Sequence, residues 1–231
     1  MKNIINTKPD RDLSGKNLYS TQFIEDVDVE NKKILDIGCG YGWFELYALD
    51  KKCKKITGIE ITPQDLSTAI NSINDPRVEF VVADALSLPF EDGVFDTIVS
   101  WEVLEHLPKN SEQKYFSEVK RVLKKDGVFY FSTPKDFIIA KLSDPAWWLM
   151  GHRHYNVNNL SNIIEKGGLS IEKSEIRGGI WEIIGALNLY IAKWIFRRDV
   201  FFKKNFQDLQ NKEFKKPGFT NIFMKLRKLD L

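Results

Sequence analysis

Asp36-Ile37-Gly38-Cys39-Gly40-Tyr41-Gly42 is the stretch on which the reading of this chain turns. It follows the β-branched run Ile34-Leu35-Asp36-Ile37 and leads into a helical pattern over 42–50, so it forms a strand-to-helix turn. Glycines in such a turn adopt positive φ and let a ligand approach bare backbone, while the helix start beyond them supplies amide donors. The spacing is G-x-G-x-G with an acid two residues before the first glycine, not the G-x-G-x-x-G of a dinucleotide pyrophosphate loop. A short loop with a carboxylate suits a ligand carrying an amino acid and a nucleoside better than one carrying two phosphates.

Outward from the loop, short β-branched runs alternate with helical patterns. Residues 34–37, 56–59, 78–82, 95–99 and 128–131 read as buried strands, the last entered through Lys125-Asp126-Gly127. Helices are predicted over 63–74, with Pro63 in the first turn, and over 111–124, with Ser111 as cap and Lys114 and Glu118 at i, i+4. This rhythm predicts right-handed βαβ units and a parallel sheet with helices on both faces. It changes after residue 135. A capped helix over 157–166 stops at Gly167-Gly168, Leu169 to Ile176 alternates as a strand, and Thr220 to Lys228 reads as the last strand. If those two strands are neighbours, about forty residues are inserted between them, far more than a hairpin carries.

Two more carboxylates fall at predicted strand ends. Glu60 closes the second strand about 20 residues past the loop, where a carboxylate accepts both hydroxyls of a ribose. Asp84 closes the third strand within reach of an exocyclic amine of the same ligand's base. Either acid alone reads equally as a helix cap; the joint spacing with the loop is what favours a site.

These motifs resemble those of class I S-adenosylmethionine-dependent methyltransferases, in particular the small-molecule branch that includes ubiquinone and menaquinone methyltransferases. The resemblance spans residues 30–176. It rests on Lys33 to Gly42, on Glu60, on Asp84-Ala85 followed by Leu88-Pro89-Phe90, and on Phe95-Asp96 through Trp101-Glu102-Val103-Leu104-Glu105-His106-Leu107. Where the family usually has Lys-Pro-Gly-Gly, this chain has Lys124-Lys125-Asp126-Gly127. The resemblance implies an α/β, Rossmann-like, doubly wound, mostly parallel seven-stranded sheet, with a helical insertion before the last strand. It implies S-adenosyl-L-methionine as cofactor, its methionine and ribose held by Asp36 and the loop residues Gly38, Cys39 and Gly40. By the same resemblance Glu60 takes the ribose hydroxyls, Asp84 the adenine amine, Ile61 and Ala85 bracket the ring, and the backbone near Trp101 meets the methionine moiety. Methyl transfer is an in-line displacement, for which orientation supplies much of the rate; a base is needed only if the acceptor must lose a proton.

The histidines are His106, His152 and His154. His106, just past the fourth strand, and His154, in the segment that resembles the family's acceptor cover, are the candidate bases, with a backbone-bonded helix-end histidine the alternative for His106. His152 and His154 at i, i+2 lack an acidic or cysteine neighbour in sequence, so no metal site is expected. Trp147-Trp148 reads as pocket lining or core. Tyr19, in the N-terminal segment, is a candidate to close over the cofactor.

The chain has 231 residues, 43% hydrophobic and 29% charged, with net charge +2. That suits one domain with a sizeable core and excludes a disordered chain or a fibre. The expected divisions are an N-terminal helical segment (1–30), a cofactor core (31–135), an acceptor-side segment (136–176), the insertion (177–217) and a final strand (218–231). Charge is uneven: 23 basic against 28 acidic residues up to 192, then 11 against 4. Two cysteines suit a reducing compartment, and the sequence reads as cytoplasmic, without a signal peptide or spanning segment. The apolar run 180–196 followed by Arg197-Arg198 reads as packing on the protein itself, as a homodimer contact, or as a peripheral membrane contact through 180–204; nucleic acid fits less well. The expected activity is methyl transfer to a small-molecule or lipid- or glycan-linked acceptor. The alternatives are a non-catalytic binding protein of the same fold, a tRNA methyltransferase and, more distantly, a nicotinamide oxidoreductase.

Overall fold

Ile34, Leu35 and Ile37 are almost completely buried, as are Ile56, Ile59, Ile98 and Val99 in the strands beside them. A parallel strand covered on both faces has no solvent side, which is why these segments read as continuous apolar runs. The computed structural model describes residues 8–137, 151–198 and 200–228. In it β1 (Lys33–Ile37), β2 (Lys55–Glu60), β3 (Val78–Val82), β4 (Phe95–Trp101), β5 (Leu123–Pro134), β6 (Leu169–Arg177) and β7 (Asn221–Lys228) form one sheet in the order β3-β2-β1-β4-β5-β7-β6. Strands β1 to β5 pair in parallel, and β7 runs antiparallel to both β5 and β6. The last two strands are therefore neighbours, with the insertion between them.

The helices are α1 (Gly15–Phe23), α2 (Trp43–Asp50), α3 (Pro63–Ser72), α4 (Glu112–Val122), α5 (Val157–Lys166), α6 (Ile180–Tyr190) and α7 (Lys203–Phe214). On one face of the sheet α4 and α5 bury Phe116, Val119, Leu160 and Ile164 against Leu35, Ile98, Phe129 and Phe131. On the other, α1, α2 and α7 bury Phe23, Phe44 and Phe214 against Ile34, Val99, Tyr130 and Phe223.

Local signals mostly act as read, with three corrections. Thr62 caps α3, accepting from the Asp65 amide at 3.3 Å, and Asn156 caps α5. Ser111 stands at the cap position of α4, but its hydroxyl donates to the Pro108 carbonyl at 2.6 Å and caps nothing. Glu118 turns from Lys114 to Arg121, a planar fork that takes both its oxygens. The helix ends at Val122, and Lys124 to Gly127 is an irregularity carried inside β5, between the pairs Phe95–Leu123 and Thr97–Val128.

The insertion folds back on the protein. Helix α6 continues as a π-helical turn, Ile191–Ile195, and α7 follows it and packs against α1, where the Asn211 side chain accepts from the Gly15 amide at 2.7 Å. The polar residues of α6 face inward: Glu182 lies 3.6 Å from Lys16, and Asn188 donates to the Phe201 carbonyl at 2.8 Å. An interfacial helix turns such residues to water, so contact with a membrane or a second copy draws no support here, although Ile195 and Phe196 are exposed. Among the described residues no helix is long and apolar enough to cross a membrane.

The basic excess of the C-terminal segment is partly internal. The Lys225 side chain is 2% exposed, with its ammonium 2.9 Å from Glu25 and 3.2 Å from both Asp28 and Glu172. Arg227 pairs with Glu172, and Lys228 donates to the Leu123 carbonyl. These cations cross-link β7 to the body. Lys225 is buried while Glu25 and Glu172 reach solvent, so its removal leaves chiefly Asp28 without its cation, and Lys225→Ala is expected to cost about 2 kcal/mol in urea unfolding. A cost below about 1 kcal/mol, the size of a surface pair, would contradict the internal role.

Candidate active site

In the sheet order, β1 is flanked by β2 on one side and β4 on the other, so successive connections leave in opposite directions. Such a switch point opens a crevice beyond the carboxyl ends of the strands. Here it has a volume of about 580 Å³ and is lined by Gly38, Gly40, Glu60, Ile61, Asp84 and Ala85, with Glu102 and His106 toward its other end. That is the size of a small-molecule site.

The loop is held from below. The Gly38 and Cys39 amides both donate to the Ile59 carbonyl, at 2.9 and 3.1 Å, and the Gly40 amide donates to Glu60 Oε1 at 2.8 Å. Gly38 has φ +76°, and a Cβ there would sit 2.3 Å from Val103 Cγ2; Gly40 has φ +57° with nothing within 4 Å of where a Cβ would be. The first glycine is needed for packing and the second leaves its face open to the crevice. From α1, Asn17 donates to the Tyr41 hydroxyl at 3.1 Å and ties the loop to the N-terminal helix.

Asp36 and Cys39 do not line the crevice; they lie behind it. Both are 2% exposed, and with them lies Glu45 of α2, fully buried. Gly58 makes the room, since a Cβ there would fall 2.5 Å from Glu45 Oε1 and 2.9 Å from Cys39 Sγ. Asp36 Oδ1 and both Glu45 oxygens have no hydrogen-bond partner. Burial, followed by the Glu45 and Glu60 charges, raises the Asp36 carboxyl well above its usual range. Burial, with Glu60 adding to it, pushes Glu45 up to about 8. The Cys39 thiol is raised chiefly by burial and is no thiolate. The Trp101 side chain also lies behind the site, against Phe44 and Phe223.

At the other end Glu102 holds φ +59°, a left-handed conformation that costs a non-glycine residue on the order of 1 kcal/mol. Ser132 donates to one of its oxygens at 2.6 Å and Lys16 to the other at 2.7 Å. Burial opposes both charges, but the pairing outweighs it: Lys16 is raised, by Glu102 and Glu182, and Glu102 is lowered, by Lys16. Next comes a short 3-10 turn, Leu104–His106. Arg153 and the Tyr155 hydroxyl both donate to the Leu104 carbonyl, at 2.8 and 3.0 Å, and so dock the segment after residue 151 onto this turn. That docking sets His152 Nε2 3.3 Å from His106 Nε2. Desolvation and the facing His152 ring hold the His106 imidazole below its usual pKa and neutral.

His154 is not among the crevice residues; its ring centroid lies 6.2 Å from that of His152. Tyr19 closes over nothing: it is buried against Phe223 and Phe214, its hydroxyl donating to Glu175 and accepting from Arg177. Trp147 and Trp148 lie outside the described residues. Sequence reasoning missed Glu45, Lys16, Glu102, Glu105 and Glu182. Glu102 and Glu105 stand inside the motif quoted for the fourth strand, and their spacing around His106 was the available signal. The reading that His152 has no acidic neighbour is corrected by the fold, which brings Glu105 to it.

The fold and the crevice are those that the resemblance to class I S-adenosylmethionine-dependent methyltransferases implies. Residues 35–131 match the family described as "Methyltransferase domain". The chain is similar to ajmaline N-methyltransferase of Rauvolfia serpentina, 32% identical over 48% of this chain and 38% of that one. It covers less than half the length of such curated relatives. In structure it is similar to an S-adenosylmethionine-dependent methyltransferase from Mesorhizobium loti, TM-score 0.64 at 18% identity, covering 91% of this chain and 96% of that one. It is also similar to the Burkholderia thailandensis 1,6-didemethyltoxoflavin-N1-methyltransferase with bound 1,6-didemethyltoxoflavin and S-adenosylhomocysteine, TM-score 0.60 at 16% identity, covering 92% and 77%. The resemblance read from the motifs therefore holds at the level of the class, without singling out the quinone branch.

The buried carboxyl of Glu45 makes stability depend on pH. Its pKa in the fold, about 8, lies above the usual 4.5, so between those values the folded chain keeps a proton that the unfolded chain has lost. The associated stability is complete below about pH 4.5 and fades as pH rises through about 8. Glu45→Gln keeps the shape and removes the titration, so its Tm should rise relative to wild type between pH 5.5 and 8.5. Parallel Tm profiles would contradict this.

Proposed function

We propose that the chain is an S-adenosylmethionine-dependent methyltransferase that moves a methyl group to a small-molecule acceptor, lipid- and glycan-linked molecules included. The observation that carries the reading is the pair of buried carboxyls, Asp36 and Glu45, with Asp36 Oδ1 and both Glu45 oxygens unpartnered, beneath a glycine loop whose outer face is open. A cationic ligand compensates such a pair, and S-adenosylmethionine brings an ammonium and a sulfonium. The other residues fit the same molecule. Glu60 has Oε1 fixed by the Gly40 amide and lines the crevice where ribose hydroxyls would meet it. Asp84 is exposed at the crevice, its Oδ1 already accepting from the Leu86 amide at 2.8 Å, which leaves Oδ2 for an amine. Ile61, 57% exposed although apolar, and Ala85 offer the two sides of a slot for a flat ring.

When bound, the cofactor supplies an electrophilic methyl carbon. The chain contributes orientation, a dry setting and charge balance, which an in-line displacement chiefly needs. At the acceptor end, His106 presents a neutral imidazole to the crevice, while Lys16 and Glu102 make a fixed ion pair beside it.

Calorimetry with S-adenosylmethionine and S-adenosylhomocysteine tests the reading. Both are expected to bind, and Asp36→Ala and Glu60→Ala are each expected to weaken binding by roughly tenfold or more, about 1.4 kcal/mol. Failure of both ligands to bind, or undiminished binding by both variants, would contradict it.

A further inference from the structure

Glu105, His106 and His152 stand apart from the cofactor end, and each places one ligand-type atom within 4.8 Å of the others. The two Nε2 atoms are 3.3 Å apart, and His152 Nε2 is 3.7 Å from Glu105 Oε1. Nitrogens and oxygens bound at about 2.0–2.1 Å around a tetrahedral ion are separated by about 3.3–3.4 Å, so the two separations from His152 already match or nearly match that geometry, and the third lies within 4.8 Å. The carboxylate is the second, independent observation. The Glu105 side chain is 1% exposed, its Oε2 accepts from Thr133 at 3.0 Å, and Oε1 is buried with no hydrogen-bond partner. Leaving a buried carboxylate oxygen unmatched is costly unless a cation or donor is meant for it. Lys16, beside the site, has its ammonium on Glu102 and Glu182.

We propose that Glu105, His106 and His152 form a divalent-metal site, two imidazoles and one carboxylate, at the acceptor end of the crevice. Two histidines and one carboxylate suit zinc and manganese, and three protein ligands leave coordination positions open. His106 and Glu102 both line the crevice, so an ion held there would be reached from it. Building on the methyltransferase reading, the ion there would take an oxygen of the acceptor, which makes a hydroxyl-bearing molecule the substrate class. The architecture around the triad is that of a fixed site. Arg153 and Tyr155 hold the His152 segment to the Leu104 carbonyl, Arg153 also pairs with Glu112, and Thr133 orients the carboxylate. Supporting contacts of this kind fix ligand orientation in metal sites.

The test is binding of the metal alone, with no cofactor or acceptor present, so that its failure is separate from failure of the methyltransferase reading. Full-length protein, cleared of metal by a chelator, is titrated with Zn2+ by calorimetry and with Mn2+ by electron paramagnetic resonance. One ion per chain is expected for at least one of the two metals, with affinity reduced tenfold or more in Glu105→Gln and in His152→Asn. Near-UV circular dichroism confirms that the variants are folded; should one not be, His106→Gln takes its place. Absence of saturable binding of both ions by wild type would overturn the proposal and leave the two imidazoles as a hydrogen-bonded pair. Unchanged affinity in the folded variants would equally overturn it.

Discussion

Negative charge buried at the carboxyl edge of a parallel sheet is the constraint around which this molecule is organised. Asp36, Glu45, Glu60, Glu102 and Glu105 all gather there, and a carboxylate taken out of water needs a proton, a donor or a cation. Each receives a different answer. Glu60 takes the Gly40 amide, and Glu102 takes Ser132 and Lys16. Asp36 Oδ1 and both Glu45 oxygens have no hydrogen-bond partner and burial raises both carboxyls, while Glu105 is satisfied on one side alone. The unmatched oxygens of Asp36 and Glu45 lie behind the glycine-loop end of the crevice, and that of Glu105 lies behind His106 at its other end.

The peripheral elements serve the same end. Helix α1 reaches both halves of the crevice, through Asn17 to the glycine loop and through Lys16 to Glu102. Helix α6 joins it by Glu182, and α7 supports both, Glu213 accepting from the Gly179, Trp181 and Glu182 amides at the start of α6. A carboxylate at a helix N-terminus satisfies otherwise orphaned donors. The insertion therefore reaches the site indirectly, through Glu182 beside the Lys16–Glu102 pair. Helix α6 packs on α7 and buries Ile183, and part of the basic excess that follows it is engaged by the fold, Lys225 within it and Arg227 and Lys228 at its surface.

What was legible in the sequence was local or set by spacing. The strand, glycine loop and helix from Lys33 to Asp50 are contiguous, and Glu60 and Asp84 follow from one strand-helix unit each, so period and turn chemistry suffice to place them. Glu45 was hidden because a single acid among Trp43, Phe44 and Leu46 reads as the solvent side of a helix; only the absent side chain at Gly58, on the neighbouring strand, shows that it points inward. His152 was set aside in favour of His154 because its partners lie 46 residues away in sequence, and the contact depends on Arg153 and Tyr155 finding one backbone carbonyl. Lys16 and Glu182 come from opposite ends of the chain, and no pattern within either segment announces the pairing.

Burial raises the Asp36 and Glu45 carboxyls, so the reading that a cationic cofactor compensates them predicts that a proton leaves when it binds. Calorimetry of S-adenosylmethionine binding at pH 7, in phosphate and in Tris, tests this directly, because proton release adds the buffer's own ionisation enthalpy to the observed heat. The account requires an enthalpy that differs between the two buffers in wild type and differs less in Glu45→Gln. Binding with the same enthalpy in both buffers would contradict it.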